Sequence, residues 1–162
     1  MVQLQRGGFD VYAPKTTFLE EGVWRCPSAR WGSTAGGFPT SYGYNAFGVA
    51  KIGDRTNALG LLGQFISSSQ LFAPIPESEV ASPSEMLAIG DSFTGGVYFL
   101  RQPDLAYLHR VGLAFSRHQG RANVVFCDGH VESPTLQSVF TDTNDAVLVR
   151  WNRDHQPHRD RL

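Results

Sequence analysis

Apolar residues in the second half of the chain form short runs that turn residues separate. Residues 86–90 (MLAIG) are a continuous apolar run of the kind found in buried strands, and the run ends at Asp91 and Ser92. Residues 122–127 are rich in β-branched and aromatic side chains. The Asp128-Gly129 pair that follows favours a two-residue hairpin turn, and residues 130–132 return from it. The pattern therefore predicts one buried strand and one β-hairpin.

A further strand is predicted over residues 111–117, before a turn at residues 118–121. With the hairpin, it would complete a C-terminal β-meander. Residues 57–71 (NALGLLGQFISSSQL) have apolar residues at helical spacing, but two glycines weaken a helix there. A short helix and an irregular loop are equally consistent with this segment.

The first half of the chain carries fewer structural signals. Residues 23–26 predict a short strand that ends in a turn at Pro27 and Ser28. Glycines and aromatic residues crowd residues 31–48, and the prolines at 74, 76 and 83 force extended backbone. We expect an α+β, β-rich fold, in which an antiparallel sheet carries long Gly/Pro-rich loops.

Length and charge limit the function classes. The 162 residues predict one globular domain over residues 1–162, with a polar tail from about residue 153. A net charge of -1 argues against nucleic-acid binding, since proteins of that class usually carry a clustered basic surface. The sequence holds no apolar run of membrane-spanning length, and its first residues do not resemble a signal peptide.

Histidines and aspartates around the hairpin are candidate metal ligands. His118, Asp128 and His130 are suitable residue types, but an extended strand between them would place His118 about 20 Å from Asp128. The smaller set Asp91, Asp128 and His130 would suit calcium, provided that the strands ending at Asp91 and Asp128 run parallel. We favour the alternative that Asp128 serves the turn, because Asp tolerates turn conformations and Gly129 has no Cβ.

Nucleophilic catalysis is a second candidate chemistry. Residues 89–96 (IGDSFTGG) are similar to the serine block of SGNH esterases, which would pair Ser92 with His130 or with His155, the residue after Asp154. Asn123 would be an oxyanion donor. The block lies past the middle of the chain, however, and the βαβ units of that family do not fit between Ser92 and His130.

The two cysteines, Cys26 and Cys127, form no CxxC pair, which excludes zinc-ribbon and thioredoxin motifs. The sequence does not decide whether the two cysteines form a disulfide with each other.

A set of short motifs, in order along most of the chain, resembles the prepilin-type H-X9-DG family of pseudopilin-like proteins. Nine residues separate His118 from Asp128-Gly129. The other matching segments are Cys26-Pro27-Ser28, Ser41-Tyr42-Gly43-Tyr44-Asn45, Ser82-Pro83-Ser84 with Asp91-Ser92, Asn123 with Phe126 and His130-Val131, and Trp151-Asn152-Arg153-Asp154. Cys127 departs from the small residue that is usual at its position.

The resemblance implies a pseudopilin-like head whose sheet packs against an N-terminal stalk helix. Family members begin with a basic leader and that apolar helix, which this sequence does not show, and we expect the chain to be the exported head alone. It would be a structural, non-enzymatic subunit of a type II secretion or type IV pilus-like fibre, in the periplasm or at the cell surface. Its partners would be other pseudopilin subunits or a second copy on the uncovered sheet face, with membrane contact only through the helix.

No cofactor is implied. A calcium- or glycan-binding head is the alternative, with Trp24, Trp31, Tyr42 and Tyr44 as candidates for stacking on sugar rings.

Overall fold

Six short strands form two antiparallel sheets in the computed structural model, which describes residues 26–28, 42–50, 58–63, 65–66, 71–92 and 118–162. The strands are β1 (Tyr42–Tyr44), β2 (Phe65–Ile66), β3 (Leu71–Phe72), β4 (Leu87–Asp91), β5 (Val124–Phe126) and β6 (Val131–Glu132). The main sheet has four strands in the order β1-β4-β5-β6, and all its pairings are antiparallel. In the part of the chain that is described, this is a small β-rich α+β fold, as the sequence predicts.

Strand β4 lies inside the main sheet and confirms the strand predicted from the apolar run. It pairs with β1 through Gly43 and Gly90, and with β5 through Gly90 and Val124. Leu87 is 3% exposed and Asp91 is fully buried. An apolar run suits this strand, because its side chains are buried or half-buried on both faces of the sheet.

The hairpin between β5 and β6 is confirmed, but its loop has three residues instead of the predicted two. Gly129 N donates to Phe126 O (3.0 Å), and Phe126 N donates to His130 O (3.0 Å). Within the loop, only Gly129 has a positive φ, of 92°. A two-residue loop of the predicted kind needs positive φ at both central residues, whereas a three-residue loop needs it only at the last. Cys127 therefore belongs to the loop.

Residues 58–63 are irregular, and the short helix that helical spacing allowed in this region is absent from its described residues. Farther along, β2 and β3 pair antiparallel in a small separate sheet. Close backbone packing explains the glycine content, because a Cβ on Gly63 would lie 1.5 Å from the carbonyl oxygen of Ala73.

The main core lies between the four-stranded sheet and the C-terminal helical turns. Helix α1 spans Leu136–Phe140 and α2 spans Asp145–Leu148, and a 3-10 turn follows at Val149–Trp151. The buried members of the core are Val49, Leu87, Ala122, Val124, Phe126, Leu136, Val139, Phe140, Leu148 and Trp151. Among the described residues, no helix has the length and apolar character needed to cross a membrane.

The predicted polar tail folds back onto the domain. Arg153 N donates to Leu59 O (2.8 Å), and its guanidinium donates to the carbonyl oxygens of Ala58 and Gly60 (2.5 and 2.9 Å). Farther along, Arg159 pairs with Asp145 at 2.6 Å. Through these hydrogen bonds, Arg153 holds the irregular segment 58–63 next to the C-terminal turns.

Two sequence predictions lie outside the described residues: the strand over 111–117 and all but Cys26 of the strand over 23–26. The turn predicted at Pro27 and Ser28 is present, and the turn predicted at residues 118–121 is present over residues 118–120.

Candidate functional site

Asn45 is a fully buried polar residue that joins three separate parts of the fold. It follows β1 directly, and its Nδ2 donates to Leu87 O (2.8 Å) and to Trp151 O (2.9 Å). Its Oδ1 accepts from Gly48 N at 3.0 Å. Buried polar atoms must find such partners, and here one amide connects β1, β4 and the C-terminal turn. The residue therefore holds backbone in place and does not face a ligand.

Asn152 has the same kind of role next to the buried Trp151. Its Oδ1 accepts from Val49 N (3.0 Å), while its Nδ2 donates to Leu148 O (3.2 Å) and Gln156 O (2.7 Å). Both asparagines belong to the motif segments that carry the family resemblance. Their side chains hold separate backbone segments of the core together.

Asp128 and His130 pair with each other at the tip of the β5–β6 hairpin. Asp128 Oδ1 accepts from His130 N (3.1 Å) and lies 2.6 Å from His130 Nδ1. The hydrogen bonds from His130 backbone and side chain hold the pKa of Asp128 below its usual value of 3.8. The hydrogen bond to Asp128 raises the pKa of His130 above 6.5. The geometry agrees with the interpretation that Asp128 serves the turn.

Aromatic and ionic contacts extend this pair along β6. The imidazole of His130 stacks on the ring of Phe126, with centroids 4.2 Å apart and planes 2° from parallel. Arg150 donates to Glu132 at 2.7 Å, which lowers the pKa of that carboxyl, and its guanidinium lies 4.6 Å from the centroid of Phe126. Burial, and secondarily the charge of Asp128, raise the pKa of the Cys127 thiol to about 11.

The proposed calcium set of Asp91, Asp128 and His130 is not brought together. It required parallel strands, and this assumption is wrong because β4 and β5 pair antiparallel. Asp91 consequently lies beside Asn123, at the start of β5, whereas Asp128 follows the end of β5 and bonds to Pro83. At a rise of about 3.3 Å per residue, the length of β4 separates the two sites by roughly 13 Å.

Asp91 meets two other residues of the motif segments, Cys26 and His118. Cys26 Sγ is 3.3 Å from His118 Nε2, and the same nitrogen is 3.4 Å from Asp91 Oδ2. One ligand atom from each residue lies within 4.8 Å of the others. Cys26 and Asp91 are fully buried, and the side chain of His118 is 22% exposed. We call these three residues the Cys-Asp-His cluster.

The backbone around the cluster fixes two of its members. Asp91 Oδ2 accepts from Asn123 N at 2.7 Å, and Asp91 N donates to Asn123 O at 3.1 Å. His118 opens a turn in which it, Gln119 and Gly120 all have positive φ (49°, 55° and 79°). Such a left-handed turn carries strain at the two non-glycine positions, and it places His118 beside the end of β4.

The esterase pairing that the sequence analysis considered as an alternative does not form either. Ser92 is buried at the end of β4 that adjoins Asn123, while His130 stacks on Phe126 at the other end of β5. The alternative base, His155, pairs with Glu85 at 3.0 Å, before the start of β4. Both histidines are thus separated from Ser92 by the length of β4.

Cys26 and Cys127 do not form the disulfide that the sequence left open. Cys26 lies with Asp91, whereas Cys127 N donates to Met86 O at the opposite end of β4. Of the proposed sugar-stacking residues, Trp24 and Trp31 lie outside the described residues. Tyr44 packs against the small cluster of Ala46, Phe47 and Ala58 and donates its hydroxyl to Leu61 O at 3.1 Å.

Sequence reasoning missed the Cys-Asp-His cluster because its members lie far apart along the chain. The available signal was the turn before β5: antiparallel pairing with β4 would have placed Asp91 beside residue 123 and close to that turn. Comparisons with models of protein families, with curated proteins and with solved structures gave no match.

Proposed function

We propose that this chain is the globular head of a pseudopilin-like subunit, with a structural and non-enzymatic role in a type II secretion or type IV pilus-like fibre. The head would lie in the periplasm or at the cell surface. The observation that supports this proposal is the use of Asn45 and Asn152, two residues of the motif segments, to hold backbone inside the core. A structural subunit acts through the shape of its surface, and polar residues that fix the backbone in the core maintain that shape.

The edge of the main sheet supplies a surface for subunit contact. Strand β6 stands last in the sheet order, and Val131 on it is 62% exposed. An exposed apolar residue on an edge strand favours contact with another chain. Other pseudopilin subunits, or a second copy of this chain, are the proposed partners.

Fibre fractionation in the source cell tests the function. The gene would be expressed at its native locus with an epitope tag, and the cells would be sheared to separate surface fibres from envelope and cytoplasm. We expect the protein in the envelope and the sheared fibre fraction. Recovery of the parent protein only in the cytoplasm would contradict the proposed function.

Substitutions at two exposed positions test the edge contact independently of the proposed function. Val131→Arg places a charge on β6, and Thr143→Arg places the same charge on an exposed loop. We expect both variants to fold and only Val131→Arg to be depleted from fibres. If both variants entered fibres equally well, β6 would be excluded as the contact surface. The proposed function would then still be tested by the fractionation of the parent protein.

A further inference from the structure

We propose that Cys26, Asp91 and His118 bind a single divalent transition-metal ion, for which zinc is the best match. The three ligand atoms are a thiol sulfur, a carboxylate oxygen and an imidazole nitrogen, which together are a ligand set typical of zinc. The calcium ion considered from the sequence fits this cluster poorly, because calcium takes six to eight oxygen ligands.

Two of the three distances in the cluster are close to the edges of a tetrahedron around zinc, and the third, between Cys26 Sγ and Asp91 Oδ2, is within 4.8 Å. With Zn–S of about 2.3 Å and Zn–N and Zn–O of about 2.05 Å, tetrahedral angles place S about 3.6 Å from N, and N about 3.4 Å from O. The corresponding distances are 3.3 Å between Cys26 Sγ and His118 Nε2, and 3.4 Å between His118 Nε2 and Asp91 Oδ2. An ion could therefore enter with small side-chain adjustments.

Convergence on one imidazole nitrogen distinguishes this cluster from a catalytic triad. In a triad, the carboxylate binds Nδ1 and the nucleophile faces Nε2. Here, both Cys26 Sγ and Asp91 Oδ2 face Nε2 of His118. A protonated Nε2 has one hydrogen for two acceptors, and an unprotonated Nε2 directs its lone pair toward a carboxylate. A cation placed between the three atoms can be bound by all of them at once.

The surroundings of Asp91 resemble those of a metal ligand. Asp91 is fully buried, and an ion bound to it would lie where the effective dielectric constant is low and opposite charges attract strongly. The backbone N–H of Asn123 orients Asp91 Oδ2 from behind, at 2.7 Å, as the outer partners of metal ligands do. Cys26 would bind the ion as the thiolate.

A cobalt titration of the purified protein, stripped of metal with a chelator, tests the site. We expect one equivalent of Co²⁺ to bind and to give a thiolate-to-cobalt charge-transfer band, which one equivalent of Zn²⁺ removes. Cys26→Ser should abolish the band. The matched control is Cys127→Ser, because Cys127 is the other cysteine of the chain and lies at the opposite end of β4. A band that survives Cys26→Ser and disappears in Cys127→Ser would overturn the proposal.

Histidine variants provide the same comparison without touching a thiol. His118→Gln should weaken zinc binding by more than about tenfold, since even the loss of an outer partner of a metal ligand typically costs 10- to 100-fold. His155→Gln, which changes a histidine paired with Glu85, should bind zinc as the parent does. Equal affinity in the parent and both variants would overturn the proposal.

A measurement on the unmodified protein covers the case in which a variant fails to fold. Zinc should slow alkylation of Cys26 relative to the chelator-treated protein and leave the rate at Cys127 unchanged, as measured by peptide mass spectrometry. Zinc should also raise the melting temperature, because an ion that binds only the folded state stabilises it. An unchanged melting temperature together with unchanged alkylation of Cys26 would contradict the site.

Discussion

Replacing Asn45 should destabilise the domain more than any exposed substitution. Asn45→Ala removes three buried hydrogen bonds, to Leu87 O, Trp151 O and Gly48 N. Each group left without its partner costs about 1–3 kcal/mol, so we expect a loss of at least ~3 kcal/mol. Against a total stability of about 5–15 kcal/mol for a domain, this is a large fraction. For a chain of this length it corresponds to a fall in Tm of roughly 6 °C or more.

An isosteric variant tests whether polarity, and not size, is responsible. Asn45→Asp keeps the shape and the Oδ1 acceptor, but it replaces the donor Nδ2 with an oxygen that faces the carbonyls of Leu87 and Trp151. We therefore expect Asn45→Asp to be at least as destabilising as Asn45→Ala.

Urea unfolding, followed by circular dichroism, measures both variants. Asn144→Ala is the matched control, because Asn144 is exposed and its side chain makes no capping hydrogen bond to α2. The control should change stability by less than about 0.5 kcal/mol. If Asn45→Asp unfolded within ~1 kcal/mol of the parent, the role assigned to Asn45 would be refuted.

Further predictions concern the hairpin and a tightly packed glycine. Gly129→Ala should cost about 1–2 kcal/mol in urea unfolding, because φ is 92° there although no atom lies within 4 Å of the added methyl. Gly60→Ala should cost more, since its Cβ would lie 2.6 Å from backbone atoms of neighbouring residues; equal costs would contradict this packing. In Asp128→Asn, NMR titration should show the pKa of His130 falling toward 6.5 and the pKa of Cys127 falling from about 11, because a hydrogen-bonded negative charge is lost. The raised pKa of His130 contributes stability that is complete below 6.5 and is lost as pH rises through its folded pKa. The lowered pKa of Asp128 contributes stability that is present above 3.8 and is lost as pH falls through its folded pKa. The parent hairpin should therefore be most stable between these limits, and Asp128→Asn should weaken that optimum, with Glu132 still hydrogen-bonded to His130; an unchanged pH profile would contradict the pairing.

Local sequence signals were sufficient for β4 and for the existence of the β5–β6 hairpin. A continuous apolar run and an Asp-Gly pair act over a few residues, and both elements lie where those signals indicate. The loop length was missed by one residue because Gly129 can supply the positive φ of either a two-residue or a three-residue loop.

The direction of the strands and the contacts between distant residues could not be predicted from the sequence. The side-chain pattern of β4 is the same for parallel and antiparallel neighbours, so the set Asp91, Asp128 and His130 depended on an assumption that no local signal tests. The burial of Asn45 likewise depends on Leu87 and Trp151, which lie far along the chain. The Cys26–His118 contact spans 92 residues, a separation over which no spacing rule applies.

The antiparallel pairing of β4 with both neighbours is the central claim, because it separates Asp91 from Asp128 and brings it to Cys26 and His118. Nuclear Overhauser contacts between α-protons test it directly, since these protons approach closely at the non-hydrogen-bonded pairs of an antiparallel ladder. The register predicts such contacts between Gly90 and Val124 and between Tyr44 and Ile89. Their absence, together with contacts that place Asp91 beside Asp128, would show parallel strands and contradict the claim.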